Sequence, residues 1–237
     1  MLVFEVGSGE SKFFSFVPER TLNGISGGVS RMMAEKREVR SSFDRLRLPD
    51  DNPEAWKVLL YAQVARSLPA MFSTDKEHDD DAEHHLSLLA HCWLLGEKYE
   101  VYQFQDLVMA EMLESTACRL THPNSIAIGA NAPRNSELFT LKACEADRRL
   151  KMLHSRDFTV SQDLGRSDLP PDFVEEVNRW NAMPGWDSAY ERFMSRRRRM
   201  LFMVDKGPDK RWLNVPWPFS ECHEDLDDGE RGRARIW

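Results

Sequence analysis

The stretch "LRLPDDNPEAWKVLLYAQVARSLP", residues 46–69, constrains the fold more than any other part of the chain. Leu46 and Leu48 alternate with Arg45 and Arg47, the period-2 pattern of a half-buried strand. Pro49 removes a ladder donor and ends it. Asn52 then suits a helix N-cap and Pro53 the first helical position. Asp50, Asp51 and Glu54 sit favourably at the positive end of the helix dipole. Trp56, Leu59, Leu60 and Val64 recur at helical spacing and define one apolar face. The unit reads as strand, tight turn and buried helix, with no catalytic group in it.

The 237 residues suffice for one large domain, or for a domain of about 100–150 residues with an appendage. With 41% hydrophobic and 30% charged residues, solvated loops are expected alongside a real core. The net charge of −7 argues against general nucleic-acid binding. "MLVFEVGSGE" is too short and too acidic for a signal peptide, and no apolar run approaches the roughly 18 residues of a membrane span. Cys92, Cys118, Cys144 and Cys222 are scattered without a CxxC pair, which favours reduced thiols and a cytoplasmic or nuclear location.

Residues 2–6, "LVFEV", and 13–17, "FFSFV", are aromatic and β-branched runs around "GSGESK", the pattern of a β-hairpin. Residues 19–34 read as two short, glycine-interrupted helices with Leu22, Ile25 and Val29 as apolar positions, and residues 42–48 as the third strand. A helix over 53–66 follows, then the acid-rich "STDKEHDDDAEHH", 73–85, as a loop. Leu86, Leu89, Ala90, Trp93 and Leu94 form one helical stripe; Phe104, Leu107, Val108 and Met112 form another after a turn near Glu100–Tyr102. Beyond 120 the pattern predicts helical segments broken at Pro133, loop over 155–171, and helices from "PPDFVEEVNRW" and "DSAYERFMSRRRRMLFM". The terminal "ECHEDLDDGERGRARIW" has the composition of a disordered charged tail.

In this order, with "LPDDNPEAWKVLLYAQVARSLP" and "LGEKYEVYQFQDLVMAEML" as its closest words, the chain resembles the BTB/POZ domain in the divergent form common in fungal proteins. The resemblance covers residues 2–115, and "NAPRNSELFTL" and "LPPDFVEEV" look like tail segments that follow the domain in such proteins. It implies an α+β, mainly helical fold: a helical cluster flanked by a small three-stranded sheet, plus a C-terminal helical appendage. The expected divisions are 1–118 for the BTB/POZ-like domain, 119–220 for a helical extension packed on or beside it, and 221–237 for the tail. Two departures stand out. Pro18 occupies the position of a family histidine, and Ser26 is followed by Gly27, Gly28 and Val29 where the family has proline and two aromatics. Loss of those bulky residues predicts a thinner contact between the paired helices and the sheet.

The resemblance implies a scaffold for protein–protein contacts with no active site and no cofactor. Other proteins are the expected partners, a second copy and a cullin scaffold among them; nucleic acid and membrane are not expected. Cullin-binding relatives carry a hydrophobic-x-Glu word after the second paired helix, and the nearest match is Met33-Ala34-Glu35. Its distance from the "LRLP" strand is longer than usual, and the better-spaced Glu38 follows Lys36 and Arg37, which supply no apolar anchor. Weak or absent cullin binding is therefore the expectation, with a substrate adaptor for a cullin-type ubiquitin ligase as the alternative reading and an enzyme with an unrecognised site as a further one.

Other chemistry-bearing groups favour plain explanations. His78, His84, His85, His91 and Cys92 are spaced too widely for the usual zinc pairs and read as loop and helix residues, with no metal expected. "GSGESK" lacks the length and the Gly-Lys-Ser ending of a phosphate loop. The basic run Arg196–Arg199 reads as a solvated helix face, with a nuclear localisation signal as the alternative. "KRWLNVPWPFSE", 210–221, reads as an extended staple on its own domain, or as partner-binding anchors.

Overall fold

Leu2–Val6 (β1) and Phe13–Val17 (β2) pair antiparallel, Val6 opposite Phe13, around a turn in which Gly7 and Gly9 hold positive φ of 81° and 67°. Those angles are open to glycine at little cost, which is what the "GSG" supplies. The computed structural model describes residues 2–9, 12–38, 44–70, 79–118, 123–134, 136–153 and 169–182. The chain divides into two units, Met1–Asp205 and Lys206–Trp237, and every described residue lies in the first.

Asp44–Leu48 (β4) runs parallel to β1 on its other side, with Phe4 opposite Leu46 and Val6 opposite Leu48. A two-residue strand, Arg37–Glu38 (β3), pairs antiparallel with β4, so the sheet order is β2-β1-β4-β3. The three longer strands are those read from the sequence; β3 is an addition too short to leave a periodic signal. Parallel pairing of β1 with β4 demands a crossover. Glu19–Asn23 (α1) and Gly27–Lys36 (α2) provide it.

Pro53–Ala65 (α3) starts as its sequence dictates: Asn52 Oδ1 accepts the Ala55 N–H at 3.0 Å and Pro53 stands in the first turn. Its buried face differs from the expected one. Ala55, Trp56, Val58, Leu59 and Ala62 are buried, whereas Val64 is 81% exposed. The buried face thus includes the two alanines, and Val64 lies outside it.

Asp79–Lys98 (α4) and Tyr102–Cys118 (α5) form a helical hairpin around a turn where Glu100 has φ of 57°. The acidic stretch read as loop over 73–85 is therefore helix from Asp79 onward. Acids at 79–81 are well matched to the positive end of a helix dipole, and that preference prevails over their polarity. Pro123–Ala130 (α6) packs on α4, with Ser125 Oγ donating to the Leu86 carbonyl at 3.2 Å. Glu137–Leu153 (α7) packs on α6, and Pro171–Asn181 (α8) packs on α7 through an edge-to-face contact of Phe139 with Phe173 at 5.5 Å. The break at Pro133 falls between α6 and α7, where Ser136 Oγ caps α7 by accepting the Phe139 N–H. The expected boundary at 118 falls between α5 and α6. Among the described residues no helix is long and apolar enough to cross a membrane.

The centre of the β1–α3–α4 core is aromatic. Trp56 meets Phe4 edge-to-face at 4.9 Å and Tyr99 at 5.2 Å. Asp51, the second acid of the "PDD" turn, accepts from Trp56 Nε1 at 2.8 Å, the Tyr99 hydroxyl at 2.5 Å and Lys98 Nζ at 2.5 Å. Burial, with the Asp51 hydrogen bond adding to it, pushes the Tyr99 hydroxyl well above its usual pKa. A buried carboxylate is costly unless fully partnered. Here three donors converge on it and tie the strand-turn-helix unit to the C-terminal end of α4.

Candidate interaction surface

The sheet has one covered and one open face. Leu2, Phe4, Val6, Leu46 and Leu48 are buried on the covered face. Because side chains alternate along a strand, Val3, Glu5, Phe14, Phe16, Arg45 and Arg47 share the other face. Phe14 is 56% exposed and Phe16 65% exposed, side by side with Val3 and Glu5 in register. β2 is also an edge strand, so its outer hydrogen-bonding groups are unpaired among the described residues. The signal for this face was present in "FFSFV": bulky residues stand at both parities, so burying one set leaves Phe14 and Phe16 outside.

Electrostatically the open face is built around one acid. Glu5 lies under three cations: Lys12 Nζ at 3.2 Å, Arg47 Nε at 3.2 Å, and Arg45 through Nη2. Burial alone would raise its carboxyl; Lys12, Arg45 and Arg47 outweigh that and hold it below the ordinary carboxylate range. The group stays ionised, one acid held among three cations.

Of the residues read as partner-binding, Met33 is 4% exposed and belongs to the core, while Ala34 and Glu35 are exposed on the same end of α2. A methionine that fills its own core is not free to fill a partner's pocket. The glycines, expected to thin the contact of the paired helices with the sheet, make a close contact elsewhere, with the turn after α4. Ser26 Oγ caps α2 by accepting the Val29 N–H at 3.0 Å and donates to the Tyr99 carbonyl at 2.5 Å. A Cβ on Gly28 would stand 2.6 Å from the Tyr99 carbonyl carbon and closer still to its oxygen. Glycine here permits close approach, and Arg31 reaches across to pair with Glu100. The paired helices are therefore fastened to the α4–α5 turn.

Elsewhere a buried ion pair lies within α7. Lys142, wholly buried, donates through Nζ to Glu145 Oε2 at 2.8 Å, one turn along α7. Its stem lies on Gly129, where a Cβ would come within 2.9 Å of Lys142 Cβ. Cys92 and Cys144 are buried, and burial pushes both thiols up, away from the nucleophilic thiolate. Burial lowers the His91 imidazole, favouring its neutral form. Among the described residues no three His, Cys, Asp or Glu side chains gather into a ligand set. A cleft of about 560 Å³ beside α7 and α8 is lined by Arg134, Phe139, Asp172, Glu175 and Arg179 among others, with Arg134 paired to Asp172 at 3.0 Å.

His78, Arg196–Arg199, the tryptophan- and proline-rich 210–221 segment, the helix expected over 187–203 and the tail from 221 lie outside the described residues. Compared with known proteins, the chain matches no family model, no curated protein and no solved structure.

Proposed function

We propose that the chain is a non-enzymatic protein–protein interaction module of BTB/POZ type, acting in the cytoplasm or nucleus. The observation that carries this reading is the succession of hairpin, paired helices α1 and α2, the short β3 and then β4, α3, and the helical hairpin α4–α5. Apart from β3, this is the order that the sequence resemblance implies. The exposed aromatics of the open sheet face support it, because adjacent exposed aromatic side chains suit a partner surface better than solvent. Affinity purification of the full chain followed by mass spectrometry tests it. Recovery of the same protein partners in near-stoichiometric amount is expected, and absence of any reproducible partner overturns the reading.

The narrower reading, an adaptor for a cullin-type ubiquitin ligase, rests on Met33-Ala34-Glu35, and the burial of Met33 weighs against it. Pulldown with a cullin N-terminal region is expected to give little or no binding. Robust binding that is abolished by Glu35→Ala would promote the adaptor reading to first place.

A further inference from the structure

We infer that the open face of the sheet binds a short acidic peptide segment carrying two or more apolar side chains, an inference that rests on the interaction-module reading. Phe14 and Phe16 supply the apolar contact, held on neighbouring outward positions of one strand. Lys12, Arg45 and Arg47 supply the charge: three cations gather on the single Glu5 carboxylate, and carboxylates of a partner can share them. The cations are already ordered by Glu5, and arginine can bond a second carboxylate through the rest of its guanidinium fork. Little further ordering is then needed on binding.

Charge chooses among the possible occupants. A second copy of this chain would set the same cluster of three cations against itself. Single-stranded nucleic acid also stacks on aromatics of open sheets. Three cations already engaged by Glu5 are few for it, because nucleic-acid surfaces neutralise several phosphates. An acidic peptide with apolar side chains satisfies both parts of the face.

The test is a display selection of random short peptides on the immobilised full chain, followed by fluorescence anisotropy with an enriched peptide. Enriched sequences are expected to combine Asp or Glu with Phe, Leu, Ile or Trp. Affinity should fall at least about tenfold with Phe14→Ser, Phe16→Ser. The Lys12→Gln, Arg47→Gln variant should lose the acidic preference and flatten the salt dependence. All four positions are substantially exposed or at the rim, and circular dichroism melts matching the parent verify that the variants fold.

No enrichment, or a neutral or basic motif, overturns the inference. So does self-association in analytical ultracentrifugation that Phe14→Ser, Phe16→Ser abolishes, which would assign the face to a second copy. Binding of a uridine-rich RNA oligonucleotide that displaces the peptide at lower concentration would assign it to nucleic acid. An acidic motif retained undiminished by both variants sinks this surface while leaving the interaction module standing; loss of all partners in affinity purification sinks the module itself.

Discussion

Gly28 abuts the backbone of Tyr99 so closely that even a methyl group at position 28 would overlap the Tyr99 carbonyl. The neighbour is main chain, anchored by the Ser26 hydroxyl and by the turn that follows α4, and it cannot swing aside.

Gly28→Ala is therefore expected to destabilise the chain by about 1–3 kcal/mol, the usual cost of overpacking. Gly27→Ala next to it meets only the end of Arg31 at 3.7 Å. There the gain in helix propensity should stabilise by up to about 1 kcal/mol. Urea unfolding midpoints of the two variants check both, and equal shifts in the same direction would refute the close-approach account.

Trp56→Ala should cost roughly 3–5 kcal/mol, because it empties the site between Phe4 and Tyr99. Asp51→Ala should cost about 2–4 kcal/mol by leaving the indole N–H and the Tyr99 hydroxyl buried without their acceptor. The double variant should cost less than the sum, since the two residues share one hydrogen bond. Strict additivity in urea unfolding would show that the contact contributes nothing.

Glu111 on α5 titrates at about 7, raised by burial and then by the neighbouring Glu114. A carboxyl raised in the fold holds a proton that the unfolded chain releases near pH 4.5. Its contribution is thus complete below about pH 4.5 and is lost as pH rises through 7, by up to about 3 kcal/mol. Glu111→Gln, neutral at every pH, should match the parent near pH 4.5 and exceed it in stability by about 1–3 kcal/mol at pH 8.5. Thermal or urea melts at the two pH values decide it; an unchanged difference between them would contradict the burial of this acid.

Lys142→Ala should cost about 3–5 kcal/mol, because it leaves Glu145 charged and buried without its partner. Replacing both, as Lys142→Met with Glu145→Leu, should be close to neutral or stabilising, since the desolvation of two ions disappears together. A double variant as unstable as the single one would mean that the pair is required for α6 and α7 to pack.

The strand-turn-helix around Pro49 was legible because every signal in it is local: alternation, a proline stop, an asparagine cap, and acids at a helix start. The helices of the α4–α5 hairpin were legible for the same reason, although Leu94 and Leu107 of the expected stripes are only half-buried. Three features escaped. The start of α4 at Asp79 reads as loop because polarity and helix-dipole preference point opposite ways in "DDDAEHH". The exposure of Val64 depends on which neighbours α3 meets, and Ala55 and Ala62 give no sign of that in sequence. Gly28 reads as a weakness because its partner, the Tyr99 backbone, is distant in the chain. Of the candidate surface, the aromatics and the cations could each be seen, but only the register of β1 with β2 and β4 brings them to one face around Glu5.

Asp51 and the hydroxyl that completes its shell are separated by 48 positions in the chain. At about 5–20 residues per second, Asp51 is made roughly 2–10 s before Tyr99. Throughout that interval Asp51 has the Trp56 indole N–H within reach but lacks the two donors that Lys98 and Tyr99 contribute, so its burial is incompletely partnered. Full partnering of Asp51 thus waits for the residues at the end of α4, and a pause in translation between the two is expected to prolong the period in which Phe4, Trp56 and the open edge of β2 are together exposed to chaperones or to aggregation.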